Sequence, residues 1–105
     1  MLTLIIHAPR TRYEQEGKRS FEGTLESGVG DEYAIYENLY AQLKPGDCVI
    51  LLDKDRKLRA EGTLLRLEPK SRTENGIQRY NVHIKSLKPV AYKPERLNRC
   101  GVSVI

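Results

Sequence analysis

The sequence predicts an α+β fold, a small, strongly curled, mostly antiparallel β-barrel of about five to six strands with one main helix. Three observations support this prediction. Short apolar runs recur between turn residues, one segment has helical periodicity, and a glycine interrupts the longest predicted strand. The 105 residues suffice for one hydrophobic core, so we expect a single domain over residues 1–105.

Three of the predicted strands are short apolar runs. "LTLIIHA" (2–8) is the first strand, and it ends before Pro9. "DCVILLD" (47–53) is a buried strand followed by the polar turn "DKDRK", and its Cys48 is expected to be a buried thiol. "GVSVI" (101–105) closes the sheet.

A long hairpin is predicted in the second half of the chain. Residues 58–69 form its first strand, in which Gly62 indicates a bulge of the kind that curls a sheet. Asn75 and Gly76 predict a tight turn. In the following strand apolar and polar side chains alternate, with Tyr80, Val82 and Ile84 facing inward and Arg79, Asn81, His83 and Lys85 facing outward.

The main helix is predicted over about residues 32–43. Tyr36, Leu39, Tyr40 and Leu43 recur at helical spacing, and "KPG" ends the segment. The tyrosines at this spacing, Tyr33 included, are therefore expected mostly in the core. The connection before the helix is predicted to hold a short helical turn near residues 12–16 and a short strand at residues 21–25.

Composition narrows the classes of partner. The net charge is +4, but residues 1–53 carry five Lys/Arg and nine Asp/Glu, whereas residues 54–105 carry thirteen and five. A clustered positive surface predicts a polyanionic partner such as nucleic acid. No apolar run is long enough for a membrane span, and "MLTLIIHAP" lacks the features of a signal peptide, so we expect a cytoplasmic protein. The cysteines and histidines lack metal-ligand spacing, and we expect no metal and no cofactor.

The order of these elements resembles the PUA-like superfamily, most closely its ASCH and EVE-type domains. Gly17, Arg19 and Glu22 in "EGKRSFEG" match the first three fixed positions of the ASCH segment Gly-x-Lys-x-x-Glu-x-Arg, with Arg in place of Lys. Thr24 occupies the position of the final Arg. "LKPGDCVILL" is similar to the family's Pro-Gly-Asp turn before a strand, and "YNVHIKSLKPVAYKPERL" resembles EVE domains.

The resemblance implies a ligand cleft at the mouth of the barrel. Its expected lining residues are Arg10, Arg12, Tyr13, Lys18, Arg19, Ser20 and Glu22. A guanidinium suits phosphates or base acceptors, and an aromatic ring can stack on a base. Phe21 is expected in the core, and a surface ion pair between Arg19 and Glu22 is the alternative to a site. On the outer face of the hairpin, Arg79, His83 and Lys85 are expected to follow a nucleic-acid backbone.

Three functions are consistent with these observations. The first is a small nucleic-acid-binding module that recognises RNA or a modified base. The second is an amidohydrolase-type enzyme on modified nucleosides, which the ASCH resemblance implies and in which Lys18 and Glu22 would be catalytic; Arg19 cannot act as a base because it stays protonated. The third is an accessory or protein-interaction domain without nucleic-acid binding. The chain is expected to be a monomer or a homodimer.

Overall fold

A computed structural model describes residues 2–8, 21–54, 56–93 and 102–105 of the chain. This part of the chain contains six strands and two short helices. In order they are β1 (Thr3–His7), α1 (Phe21–Ser27), β2 (Val29–Ala34), α2 (Glu37–Tyr40), β3 (Cys48–Asp53), β4 (Leu58–Arg72), β5 (Gln78–Val90) and β6 (Val102–Val104). The predicted small, sheet-rich α+β fold is therefore confirmed.

The strands form one mixed sheet in the order β2-β5-β4-β3-β1-β6. Strand β1 is parallel to β3, and the other four pairings are antiparallel, so the mostly antiparallel prediction is confirmed. Strands β2 and β6 are the outer strands of this order, and within the described residues they do not pair with each other. The described sheet is therefore open and does not close into the predicted barrel.

Strands β4 and β5 form the long hairpin that the sequence predicts. At its turn, the Gly76 N–H donates to the Thr73 carbonyl at 2.9 Å, and Gly76 has a positive φ of 81° that favours glycine. The pairing with β5 shifts register between Glu61 and Thr63, as the glycine predicts, but the extra residue lies on the opposite strand, where Ser86 and Leu87 of β5 together lie opposite Gly62. A Cβ atom at Gly62 would lie only 2.6 Å from Ile84 Cγ2, so β5 approaches the backbone closely here.

The main hydrophobic core lies on one face of the sheet. Tyr80, Val82 and Ile84 of β5 are buried in it, as their alternation predicts. Other members come from several elements and include Leu4, Ile6, Phe21, Tyr33, Ile35, Val49, Leu51, Ala60, Leu64 and Val102. A second, smaller cluster contains Ile5, Ile50 and Leu52, which alternate with core residues along β1 and β3 and so face the other side.

The predicted helix over residues 32–43 is wrong in extent. Residues as far as Ala34 belong to β2, which pairs with β5, and α2 has only four residues. Two backbone conformations exclude a continuous helix. Glu32 has a positive φ of 52°, at a bulge in β2, and Tyr36 is extended at φ −62° and ψ 146°. Pairing with β5 thus overrides the helical periodicity of the side chains.

The predicted strand at residues 21–25 is also wrong, because these residues belong to the helix α1. Phe21 and Thr24 are its buried residues, and they lie three positions apart on one face. Phe21 is only 4% exposed and belongs to the main core, as the sequence predicts. The fully buried Thr24 occupies the position where the ASCH segment has its final Arg.

The exposure of Cys48 differs from the prediction. The Cys48 side chain is exposed at the first position of β3, and the buried thiol that its apolar neighbours predicted is therefore wrong. In β3 the run of buried residues begins one position later, at Val49.

Neither α1 nor α2, the helices of the described residues, is long and apolar enough to cross a membrane.

Candidate functional site

Most of the predicted cleft falls outside the described residues. Arg10, Arg12, Tyr13, Lys18, Arg19 and Ser20 lie there, and so does the predicted helical turn near residues 12–16. Glu22 is the member of this set that the structure describes, in the first turn of α1.

Glu22 forms a two-bond ion pair with Arg56. The guanidinium of Arg56 donates through Nη1 to Glu22 Oε1 and through Nη2 to Oε2 at 2.8 Å, while its Nε donates to Asp53 Oδ2 at 2.8 Å. The hydrogen bonds from Arg56 hold the pKa of Glu22 below its ordinary value. The pair fastens α1 to the turn between β3 and β4. A carboxylate held ionised in this way is a weak general base.

The residues of β5 that were predicted to follow a nucleic-acid backbone, Arg79, His83 and Lys85, are not surrounded by positive charge alone. Lys85 is exposed and Arg79 is half-buried. His83 lies between them along the strand, and its Nε2 is 2.9 Å from Oε1 of Glu68 on β4. This hydrogen bond with His83 lowers the pKa of Glu68. The carboxylate of Glu68 therefore offsets part of the positive charge along the predicted row.

A stacked aromatic pair lies on the main-core side, between α2 and β5. The rings of Tyr40 and Tyr80 have centroids 4.7 Å apart and planes inclined by 8°. Tyr80 is 8% exposed, whereas Tyr40 is 41% exposed. A buried ring is therefore stacked against a ring that solvent reaches.

A first pocket of about 420 Å³ opens beside this pair, where α2 meets the end of the β4–β5 hairpin. Its lining residues are Ile35, Tyr36, Glu37, Tyr40, Arg72, Gly76, Ile77, Gln78 and Tyr80. Tyr36 is 46% exposed, so the pocket presents a second accessible tyrosine. The volume lies in the range of small-ligand sites in proteins.

The polar groups of the first pocket act on the Tyr80 hydroxyl. Burial raises the pKa of Tyr80, and Tyr40 raises it further. The positive charge of Arg72 lowers that pKa, and the negative charge of Glu37 raises it. The pocket therefore combines an aromatic wall with one cation and one anion, both within electrostatic range of the same hydroxyl.

A second pocket of about 360 Å³ shares Tyr40 with the first. Its lining residues are Tyr40, Ala41, Leu43, Lys44, Pro45, Leu64, Arg66 and Leu67. Leu43 and Leu67 pack against the main core, so they hold the apolar floor in place, while Lys44 and Arg66 are exposed. We call the two pockets together the tyrosine groove. It has an aromatic centre with cations in both halves.

The tyrosine groove was missed by sequence reasoning. The helical spacing of Tyr36 and Tyr40 predicted core residues, and both are instead exposed, whereas Tyr33 is buried at 7%. One signal was present in the sequence. The Asn75-Gly76 turn places Arg72 opposite Gln78 in the hairpin, close to Tyr80. An arginine and a tyrosine near a predicted turn, beside a further tyrosine-rich segment, indicate a basic aromatic surface.

Comparisons with known proteins add no family for this chain: no family model, no curated protein and no solved structure matches it. Within the residues that the structure describes, no three His, Cys, Asp or Glu side chains form a group that could hold a metal ion. The candidate site therefore depends on its own geometry.

Proposed function

We propose that this protein is a small module that binds single-stranded nucleic acid in the tyrosine groove. The observation that supports this most strongly is the Tyr40–Tyr80 stack, whose exposed ring lines both pockets between Arg72 on one side and Arg66 and Lys44 on the other. A stacking ring flanked by cations is the usual arrangement of proteins that bind single strands.

The aromatic part of the groove supplies a surface for bases. Every nucleobase has a π-face, and stacking on a protein ring is worth about 1–3 kcal/mol per base. Because Tyr40 is already held against Tyr80, little ordering of that ring is needed on binding. Tyr36, half-exposed in the first pocket, offers a second ring.

The cationic part of the groove supplies contacts for phosphates. Arg66 and Arg72 are exposed residues of β4, and Lys44 precedes β3. They belong to a chain whose formal net charge is +4. Neutralising phosphates releases counterions, which favours binding and makes it dependent on salt.

The need for an accessible base face favours a single strand over a duplex. A base can stack on Tyr40 only if that face is not covered by a neighbouring base, as in loops, ends and unpaired strands. The sequence resemblance to PUA-like domains points to the same class of ligand, RNA or a modified base. Membership of that superfamily is part of this proposal.

Fluorescence anisotropy with a labelled all-uridine oligonucleotide tests the proposal. We expect measurable binding that weakens as salt is raised, and weaker binding by an unlabelled duplex competitor. The matched charge control is Lys88→Ala, an exposed β5 residue that lines neither pocket, and it should bind like the unchanged protein. Absence of binding by RNA and DNA single strands at low salt would overturn the proposal. A salt-dependent dimer on a sizing column, without such binding, would favour the protein-interaction function.

A further inference from the structure

The lining of the first pocket includes a carboxylate and a guanidinium as well as tyrosines. Glu37 is the first residue of α2, Arg72 is the last residue of β4, and both line the pocket. Arg72 Nη1 donates to the Gly76 carbonyl at 3.1 Å, and within the described residues its other N–H groups remain available to a ligand. Gln78 is engaged differently, since its Nε2 donates to the carbonyls of Lys70, Ser71 and Arg79 and so braces the hairpin.

These two charged groups have opposite hydrogen-bonding characters. An ionised carboxylate only accepts, and a guanidinium only donates. A base that satisfies both must present donors on one part of its edge and acceptors on another. A carboxylate in a site for a polyanion also costs affinity for phosphate, so its presence beside the stacking rings indicates contact with a base rather than with the backbone.

Guanine fits this pair best among the four common bases. Its N1–H and N2–H₂ groups are adjacent donors, which one carboxylate can accept together, and O6 and N7 accept from arginine. Adenine and cytosine offer a single exocyclic amine, and uracil offers a single ring N–H beside two carbonyls. A carboxylate facing uracil or adenine would therefore accept one hydrogen bond from the base where guanine supplies two, and Glu37 is exposed, so the difference comes from the number of bonds formed.

We propose that the first pocket selects guanine, with Glu37 accepting from N1–H and N2–H₂ and Arg72 donating to O6. The inference depends on the proposed binding of nucleic acid in the tyrosine groove. It assigns Tyr36 and Tyr40 to stacking and Glu37 to choice of base. Among the described residues that line the second pocket there are cations and no acid, so this pocket then holds a neighbouring nucleotide without this selection.

The test compares uridine oligonucleotides that carry one central guanosine, adenosine or inosine, alongside the all-uridine strand. Inosine lacks only the 2-amino group of guanosine. Since a good two-bond contact is worth about 1–3 kcal/mol, the guanosine strand should bind on the order of tenfold tighter than the adenosine strand. The inosine strand should fall between them. Free guanosine monophosphate is added as a competitor, which separates recognition of a free nucleotide from recognition within a strand.

The decisive variant is Glu37→Gln, whose matched control is Glu74→Gln, an exposed carboxylate in the hairpin turn that does not line the pocket. Glu37→Gln should reduce the ratio of guanosine to adenosine affinity several-fold, and Glu74→Gln should keep that ratio. Equal binding of the guanosine and adenosine strands, with all-uridine binding intact, would overturn guanine selection alone. If the unchanged protein binds none of the strands, the proposed function is overturned as well.

Discussion

The ring of Tyr40 lies parallel to the buried ring of Tyr80, with centroids 4.7 Å apart and planes inclined by 8°. Tyr40 is the residue that the two pockets share, so its position determines the shape of both. Leu39 precedes Tyr40 in the sequence and Leu43 follows it, and both leucines pack against the main core. The stack therefore connects the folded core to the exposed part of the tyrosine groove.

Replacing Tyr40 by Leu should weaken binding of an all-uridine strand. Loss of one stacked base is worth about 1–3 kcal/mol, which corresponds to an affinity decrease of roughly 5- to 150-fold. Anisotropy titrations at fixed salt measure it. Tyr40→Phe retains the ring and should bind within about twofold of the unchanged protein, because stacking needs the ring and not the hydroxyl. Equal affinities for the Leu and Phe variants would contradict stacking of a base on Tyr40.

The cations of the groove should appear in the salt dependence of binding. For single strands, each neutralised phosphate contributes about 0.7 to the slope of log affinity against log salt. Arg66→Ala and Arg72→Ala should each lower this slope by roughly that amount, and Lys88→Ala should leave it unchanged. Titrations across a series of salt concentrations measure the slopes. If the Lys88 variant changes the slope as much as the Arg variants, the phosphate path lies elsewhere.

The close approach of β5 to Gly62 predicts a stability effect. An alanine Cβ there would lie 2.6 Å from Ile84 Cγ2 and 2.9 Å from the Lys85 carbonyl oxygen, so strand backbone must shift. Overpacking of this kind costs about 1–3 kcal/mol, and Gly62→Ala should lower the free energy of unfolding accordingly. Urea unfolding followed by circular dichroism measures it. Thr63→Ala, at the exposed neighbouring position, is the control and should change stability little.

The Glu22–Arg56 pair predicts a pH-dependent contribution to stability. The pKa of Glu22 is lowered in the fold, so its stabilisation is fully present above the ordinary pKa of about 4.3 and is lost as pH falls through the folded value. The pair is partly exposed, which limits its contribution to about 1 kcal/mol at neutral pH. Glu22→Gln should remove this at pH 7 and should make a smaller difference at about pH 3, where the carboxylate begins to be protonated in the fold as well.

Urea unfolding at the two pH values measures the Glu22 effect. Glu26→Gln is the matched control, because Glu26 is an exposed residue of the same helix whose substitution should have little effect at either pH. A destabilisation by Glu22→Gln that is as large in acid as at neutral pH would contradict an ionic origin.

The strands could be predicted from the sequence because their signals are local. The alternation of Tyr80, Val82 and Ile84 and the Asn75-Gly76 turn each arise within a few residues, and the pairing in the sheet agrees with them. Gly62 was informative for the same reason, since a glycine inside a strand pattern indicates a bulge or a close backbone approach.

The helix and the site could not be predicted in this way. Residues 32–34 belong to the predicted helix by their pattern, and only the pairing of Tyr33 and Ala34 with β5, more than forty residues later in the chain, makes them part of a strand. Tyr40 has the spacing of a core residue, but it is the last residue of the four-residue α2 and is 41% exposed. The partner of Glu22 is Arg56, which the sequence separates from it by 34 positions. Each of these depends on tertiary contacts that no local motif encodes.

The most direct test of ligand binding in the tyrosine groove is a nuclear magnetic resonance titration of the labelled protein with an all-uridine oligonucleotide. Binding there should produce the largest chemical-shift changes at Tyr36, Tyr40, Arg66 and Arg72, with small changes at Glu22 and His7, which line neither pocket. Changes concentrated instead around Glu22 and Arg56, with the tyrosine resonances unmoved, would contradict a ligand site in the tyrosine groove.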